Sequence, residues 1–154
     1  MQNIIISGFS GIGKSTASRL DSSRIVDFES SHYSKLENGS LNPKWPLNYV
    51  DAIAKEYMEG ENKIILTSCH SEVRELFHAY ELPFLIVVPD IKCRNEYMIR
   101  WFSRGSSMKF MSDMYKNWFT YVNSCVNDGA PCIILEKDEY LAQLLNRMKV
   151  EALR

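Results

Sequence analysis

The chain alternates short apolar runs with longer stretches of helical spacing. Ile4–Ser7 is β-branched and stops at Gly8; Arg24–Phe28 (RIVDF), Lys63–Thr67 (KIILT), Phe84–Val88 (FLIVV) and Cys132–Leu135 (CIIL) follow at wide intervals. Runs of this length with consecutive apolar positions predict strands buried on both faces. Between them, Lys14–Leu20 places Ala17 and Leu20 on one helical face, and Tyr49–Met58 does the same with Val50, Ile53, Ala54 and Tyr57. Lys92–Phe102 and Ser107–Val126 predict two further helices broken at Gly105, and Asp138–Leu153 a closing one. Strands alternating with helices predict an α/β fold of three layers, a parallel sheet covered on both faces.

The 154 residues suit one domain, 1–154, carrying an insertion at about 30–62 between the second and third strands. Asn38-Gly39 marks a turn in that insertion, and Pro43 and Pro46 hold it irregular. Hydrophobic residues make up 45% and charged residues 24%, which excludes disordered and fibrous classes. Lys and Arg number 18 against 19 Asp and Glu, so a polyanion must be met by a local patch and not by overall charge. Cys69, Cys93, Cys125 and Cys132 have no C-x-x-C or Cys/His spacing and read as reduced thiols. No signal peptide precedes the first apolar run and no stretch approaches the roughly 20 apolar residues of a membrane span. The expected location is cytoplasmic.

Gly8-Phe9-Ser10-Gly11-Ile12-Gly13-Lys14-Ser15 matches G-x-x-x-x-G-K-[ST], with Thr16 next, between a predicted strand and a predicted helix. Glycines there let backbone N–H groups converge on phosphate oxygens, and the helix start adds its positive dipole end. Lys14 reaches the β and γ phosphates and the Ser15 hydroxyl ligates Mg²⁺ in such a loop. Gly8, Ser10, Gly11, Ile12, Gly13, Lys14, Ser15 and Thr16 are thus the expected ATP or GTP site. The third strand ends Thr67-Ser68-Cys69-His70 with no acid, while the second ends Asp27-Phe28-Glu29, and no N-K-x-D guanine reader is visible. A switch-type GTPase is disfavoured.

This arrangement resembles the small P-loop kinases of nucleotides, shikimate and polynucleotide 5′-hydroxyls. The resemblance implies a sheet order of 2-3-1-4-5, with an acid after the second strand approaching the acceptor hydroxyl or the metal. Asp27 and Glu29 stand there; one activates the acceptor and the other helps hold Mg²⁺, with Asp27 slightly favoured as base and Asp27 with Ser15 as metal ligands. It also implies an arginine-bearing lid at about 90–116, in which Arg100 and Arg104, four apart on one helical face, neutralise charge in transfer. Arg94 is a third lid arginine. That segment holds six basic and three acidic residues, enough for a local basic surface.

Ser68, His70, Ser71 and Arg74 follow the third strand, where ligands bind in open α/β sheets. Arg74 and the amides at Ser71 are candidates to hold an acceptor phosphate, and His32 and His78 are weaker candidates. The insertion is where such kinases build the acceptor site; Ser30 is a substrate-binding candidate there, and Tyr33, Trp45 and Tyr49 suit stacking on a planar base. Asp27–Ser31, Asn42–Tyr49, Ser68–Arg74 and Arg104–Ser106 together also resemble segments of the phage 5-hydroxymethyl-deoxyuridine DNA kinases. That likeness implies the hydroxymethyl group of a modified DNA base as acceptor, flipped out of the stack toward Trp45 or Tyr49. A nucleoside monophosphate kinase and a non-kinase nucleotide-binding ATPase are the alternatives.

Overall fold

The computed structural model describes residues 2–152. Five strands, β1 (Ile4–Gly8), β2 (Ile25–Asp27), β3 (Ile64–Ser68), β4 (Leu85–Pro89) and β5 (Cys132–Leu135), form one sheet in the order β2-β3-β1-β4-β5. All four pairings are parallel, and Gly8 stands level with Ser68 on one side and Val87 on the other. The expected order is therefore observed, and β1 sits in the middle because its side chains, Ile5 and Ile6 fully buried, need cover on both faces.

The helices are α1 (Lys14–Leu20), α2 (Ser31–Ser34), α3 (Leu47–Glu59), α4 (Ser71–Ala79), α5 (Arg94–Ser103), α6 (Met108–Lys116), α7 (Trp118–Val126) and α8 (Leu141–Ala152). α3 packs on β3 and α4, α7 on β4, and α1 on β2 and α8. Each buries one stripe; for α3 that is Tyr49, Val50 and Ile53. Behind the loop after β1 lies an aromatic cluster in which Trp118 meets Phe9, Tyr97 and Trp101 with ring centroids 5.4, 5.5 and 6.1 Å apart.

Most element boundaries shift by one or two residues from the sequence expectation, and three differences have a visible cause. β2 is shorter than Arg24–Phe28 because the Arg24 N–H bonds the Asp21 carbonyl in a turn. The predicted helix Ser107–Val126 is two helices, since Asn117 turns its N–H and its side-chain amide back to the Asp113 carbonyl and ends α6. The closing helix starts at Leu141 and not Asp138, whose φ of 64° lies in the left-handed region; Leu153 lies outside the described residues. No helix of the described residues is long and apolar enough to cross a membrane. The four cysteines are free thiols, Cys93 and Cys125 buried, Cys69 and Cys132 half-buried.

The insertion closes on itself. The backbone pairs Lys35 with Leu41 in an antiparallel bridge, the Asn42 N–H donates to the Ser34 carbonyl at 2.8 Å, and Asn48 Nδ2 donates to the Tyr33 carbonyl at 2.8 Å. Trp45–Pro46 is a cis peptide.

Candidate active site

Parallel strands deliver their carboxyl ends to one edge of the sheet, so the segments after β1, β2 and β3 meet there. After β1 the chain bends through Gly11 at φ 95° and Gly13 at φ 99°, conformations open to glycine alone without strain. Gly8 is tied to the loop by space: a Cβ on it would lie 2.7 Å from Ile12 Cδ1 and 3.1 Å from Lys14 Cδ. Lys14 opens α1 and folds over the loop, its Nζ donating to the Gly8 and Phe9 carbonyls at 2.7 and 3.3 Å. Among the described residues no carboxylate lies within ion-pair distance of it. Burial pushes its pKa below the ordinary lysine value, opposed by the fields of Cys69, Asp27 and Glu29. A desolvated cation without a counter-ion, beside a glycine-lined loop, fits a phosphate chain. Ser10 is half-buried, while the Ser15 and Thr16 side chains stand exposed on the first turn of α1.

Asp27 ends β2, half-buried. Desolvation raises its pKa above the usual carboxylate value, Lys14 pulling it down and Glu29 pushing it up. Glu29 is exposed and accepts from the Ser31 hydroxyl at 3.3 Å and its N–H at 3.5 Å, so it sits at the start of α2. Ser30 is the residue before that helix, its carbonyl accepting from the Tyr33 and Ser34 N–H groups. The two acids are thus unequal, one desolvated and held in the field of Lys14, the other in water.

At the end of β3, Ser68 Oγ and His70 Nδ1 are 2.7 Å apart, and the His70 ring meets Trp45 edge-on at 5.5 Å. Desolvation lowers the His70 pKa, with Glu72 opposing, which favours neutral imidazole. The half-buried Trp45 ring lies 5.2 Å from Tyr49, and Tyr33 lies 5.2 Å from Tyr49 on its other contact. His32 is exposed on α2 and within electrostatic reach of Asp27.

Two expectations are corrected here. Tyr49 is fully buried, its hydroxyl donating to the Phe28 carbonyl at 2.5 Å and accepting from the Ser68 N–H at 3.0 Å. It therefore pins β2 to β3 and cannot stack on a base. Arg74 is 4% exposed and turned away: Nε donates to the Cys69 carbonyl, one terminal nitrogen to the Ser124 carbonyl and Asp128, the other to the Ser124 hydroxyl. Its charge is matched by Asp128 at 2.7 Å, leaving it nothing for an acceptor phosphate. His78 joins the same network, its Nε2 at 2.6 Å from Asp128.

α5 lies against the loop after β1. Arg100 donates to the Gly11 carbonyl at 2.9 Å and the Glu139 carbonyl at 3.1 Å, its guanidinium stacked between Tyr97 and Tyr140. Arg104 donates to the Ser10 hydroxyl at 2.8 Å and is held in the field of Glu29. Trp101, which the sequence reading passed over as an apolar residue, donates from Nε1 to the Ser10 carbonyl at 3.2 Å. Arg94 bonds the Tyr115 carbonyl and stacks on that ring. Of the six basic residues of 90–116, Lys92, Arg104, Lys109 and Lys116 remain exposed.

Cys69 lies between these groups. The Cys125 thiol donates to the Cys69 carbonyl at 4.0 Å, and the neighbouring Cys125 thiol with the fields of Lys14 and Arg74 outweighs burial and draws the Cys69 pKa below its ordinary value, while Cys125 is pushed up.

No protein-family model matches the chain, and no curated protein does. Among solved structures, a gluconokinase from Sinorhizobium meliloti 1021 superposes with a TM-score of 0.58 at 14% identity, over 99% of this chain and 95% of that one. The YorR protein of Bacillus subtilis, crystallised in complex with phosphorylated GDP, superposes at 0.57 and 13% identity, over 99% and 95% of the two chains. Together with the sheet order, these likenesses show that the chain shares the fold of those two proteins, a five-stranded parallel sheet in the order β2-β3-β1-β4-β5 with helices around it.

Proposed function

We propose that this chain is an ATP- and Mg²⁺-dependent kinase that moves the γ-phosphate of ATP to a hydroxyl of a nucleoside-type acceptor. Its sharpest form takes the 5-hydroxymethyl group of hydroxymethyluracil in DNA as that hydroxyl. The observation that carries the reading is the placement of Asp27, a carboxylate raised by desolvation, in the field of Lys14 at the same sheet edge. A pure nucleotide binder needs no such acid.

The loop amides from Gly8 to Gly13, with Lys14, hold the phosphate chain. Of the two ligands expected from the sequence, Ser15 and Asp27, the Ser15 hydroxyl is kept for the metal and Asp27 for the acceptor; a metal in such sites keeps waters and phosphate oxygens as its other ligands. Among the described residues no cluster of three His, Cys, Asp or Glu side chains suits a metal, in keeping with an ion carried in by the nucleotide. The metal supplies charge neutralisation between the β and γ phosphates. Asp27 takes the proton of the acceptor hydroxyl as its oxygen attacks the γ phosphorus, the bond to the bridging oxygen breaks, and ADP leaves. Arg104, which donates to the Ser10 hydroxyl, meets in this reading the charge that spreads over the γ-oxygens.

A hydroxyl fits the acceptor side better than a phosphate does. The arginine suited to a phosphate is bound to Asp128, and two carboxylates, Asp27 and Glu29, stand at the end of β2 on the same sheet edge, where they would repel a dianion. Ser68, a neutral His70 and the Trp45 ring instead offer hydrogen bonds and a planar surface. The second reading, a free mononucleotide as acceptor, draws on the neighbour that carries phosphorylated GDP.

Transfer from γ-labelled ATP with Mg²⁺ to duplex DNA containing hydroxymethyluracil, to unmodified DNA, and to free nucleosides and mononucleotides separates these readings. Label on the modified DNA alone is expected, with none in Lys14→Ala. Label on a mononucleotide alone would move the acceptor assignment, and label on nothing while nucleotide binds would remove the kinase.

A further inference from the structure

Three side chains of one helical turn and a half converge on two consecutive residues of the phosphate loop. Arg100 donates to the Gly11 carbonyl, Trp101 to the Ser10 carbonyl and Arg104 to the Ser10 hydroxyl. In a planar trans peptide the carbonyl and the N–H point in opposite directions. Drawing the Ser10 and Gly11 carbonyls toward α5 therefore turns the Gly11 and Ile12 N–H groups away from α5, into the loop. Among the described residues the Gly11 N–H has no acceptor, and the Ile12 N–H has only the Phe9 carbonyl at 3.4 Å, so both are held ready for a ligand oxygen.

The approach leaves no slack. A Cβ on Gly11 would lie 2.9 Å from Trp101 Nε1 and 3.1 Å from Tyr97 Cδ2. Trp101 is itself fully buried within the aromatic cluster, and Arg100 is fixed between two tyrosine rings and by the Glu139 carbonyl. The donors are thus rigid before any nucleotide arrives.

We infer that α5 is a strap on the carbonyl side of the phosphate loop, with Trp101 and Arg100 as positioning residues that aim the Gly11 and Ile12 amides at the nucleotide's phosphates. This rests on the reading of the loop as a nucleotide site, and extends it to residues outside the motif that touch no substrate. The strap acts on phosphate oxygens alone, so its loss weakens ATP and inorganic tripolyphosphate by the same factor.

Trp118 provides a matched control. It too is a fully buried indole in the same cluster, and its Nε1 donates to a backbone carbonyl, that of Ile91 at 2.7 Å, outside the loop. Titration calorimetry of the full chain with Mg-ATP and with tripolyphosphate is the test, on the wild type, Trp101→Phe, Trp118→Phe and Arg100→Met, with melting temperatures alongside. Trp101→Phe and Arg100→Met are each expected to bind both ligands about fivefold more weakly, about 1 kcal/mol at 1.4 kcal/mol per tenfold. Trp118→Phe is expected to lower the melting temperature as Trp101→Phe does and to bind as the wild type does. Equal affinities in Trp101→Phe and the wild type, or equal losses in the two tryptophan variants, would overturn the strap; so would a loss confined to ATP. A wild type that binds neither ligand would overturn the nucleotide site itself, a different failure from variants that bind as well as the wild type.

Discussion

Arg74 gives Nε to the Cys69 carbonyl and both terminal nitrogens to groups on α7 and the turn after it, and the carboxylate it meets, Asp128, is 54 positions away in sequence. Both side chains are nearly buried, 5% and 7% exposed. Removing one charge strands the other, so Arg74→Ala is expected to lower unfolding stability by about 3–5 kcal/mol, read from urea denaturation. Burial works against the Asp128 charge, but hydrogen bonds from His78, Arg74 and the Ala130 N–H outweigh it and hold the carboxyl below its ordinary value. Such a group stabilises the fold fully above the unfolded value of about 3.9 and loses that contribution as pH falls through its lower folded value. The urea midpoint of the wild type is therefore expected to fall below pH 4 more steeply than that of Asp128→Asn. At the site, Asp27→Asn removes the proposed base and is expected to slow transfer by about 10²–10⁴-fold, with nucleotide affinity within about twofold; full activity would remove the assignment. The positions of Asp27 and Lys14 at one sheet edge were legible because a motif and a strand end place them. Arg74 and Tyr49 were misread, since nothing local distinguishes a lysine-like surface arginine from one that meets a distant acid, or a stacking tyrosine from one whose hydroxyl bridges two strands.

The elements fare differently by length and burial. All five strands were legible, because consecutive apolar residues between turn signals have few other uses. The break at Asn117 was not, because Asn in mid-run is tolerated and its side chain ends α6 only by finding the Asp113 carbonyl. α5 was read as a lid whose arginines face phosphate, yet its inner turn also supplies donors to loop carbonyls, and Trp101 has no local signal separating it from an ordinary core residue. Close packing of this helix on the loop makes Gly11 intolerant. Gly11→Ala meets Trp101 at 2.9 Å and demands φ of 95° from an L side chain; a loss on the order of 1–3 kcal/mol is expected, seen as a lower melting temperature together with weaker Mg-ATP binding. Gly39, at φ 83° with open space around a Cβ, is the contrasting site, where alanine adds backbone strain only and leaves nucleotide binding unchanged.

On the scale of the molecule, a ligand that binds only the folded chain raises its stability by mass action. At about 100 times its dissociation constant, Mg-ATP is expected to add about 2.7 kcal/mol, which at about 2–4 °C per kcal/mol raises the melting temperature by roughly 5–10 °C. Lys14→Ala, scanned under the same conditions, is expected to show a much smaller shift. The sheet brings the proposed donor and acceptor groups to one edge, but they come from separate stretches of chain: the loop after β1 and α5 on the proposed nucleotide side, and 30–49 with the end of β3 on the proposed acceptor side. The acceptor stretch leaves and returns at neighbouring points, fastened to itself by Ser34 with Asn42 and Tyr33 with Asn48. It is built like an interchangeable tool head. On the proposed function, the phosphate-handling half can stay intact while the clientele is changed by recasting the 12 residues between α2 and α3, without disturbing a single strand pairing.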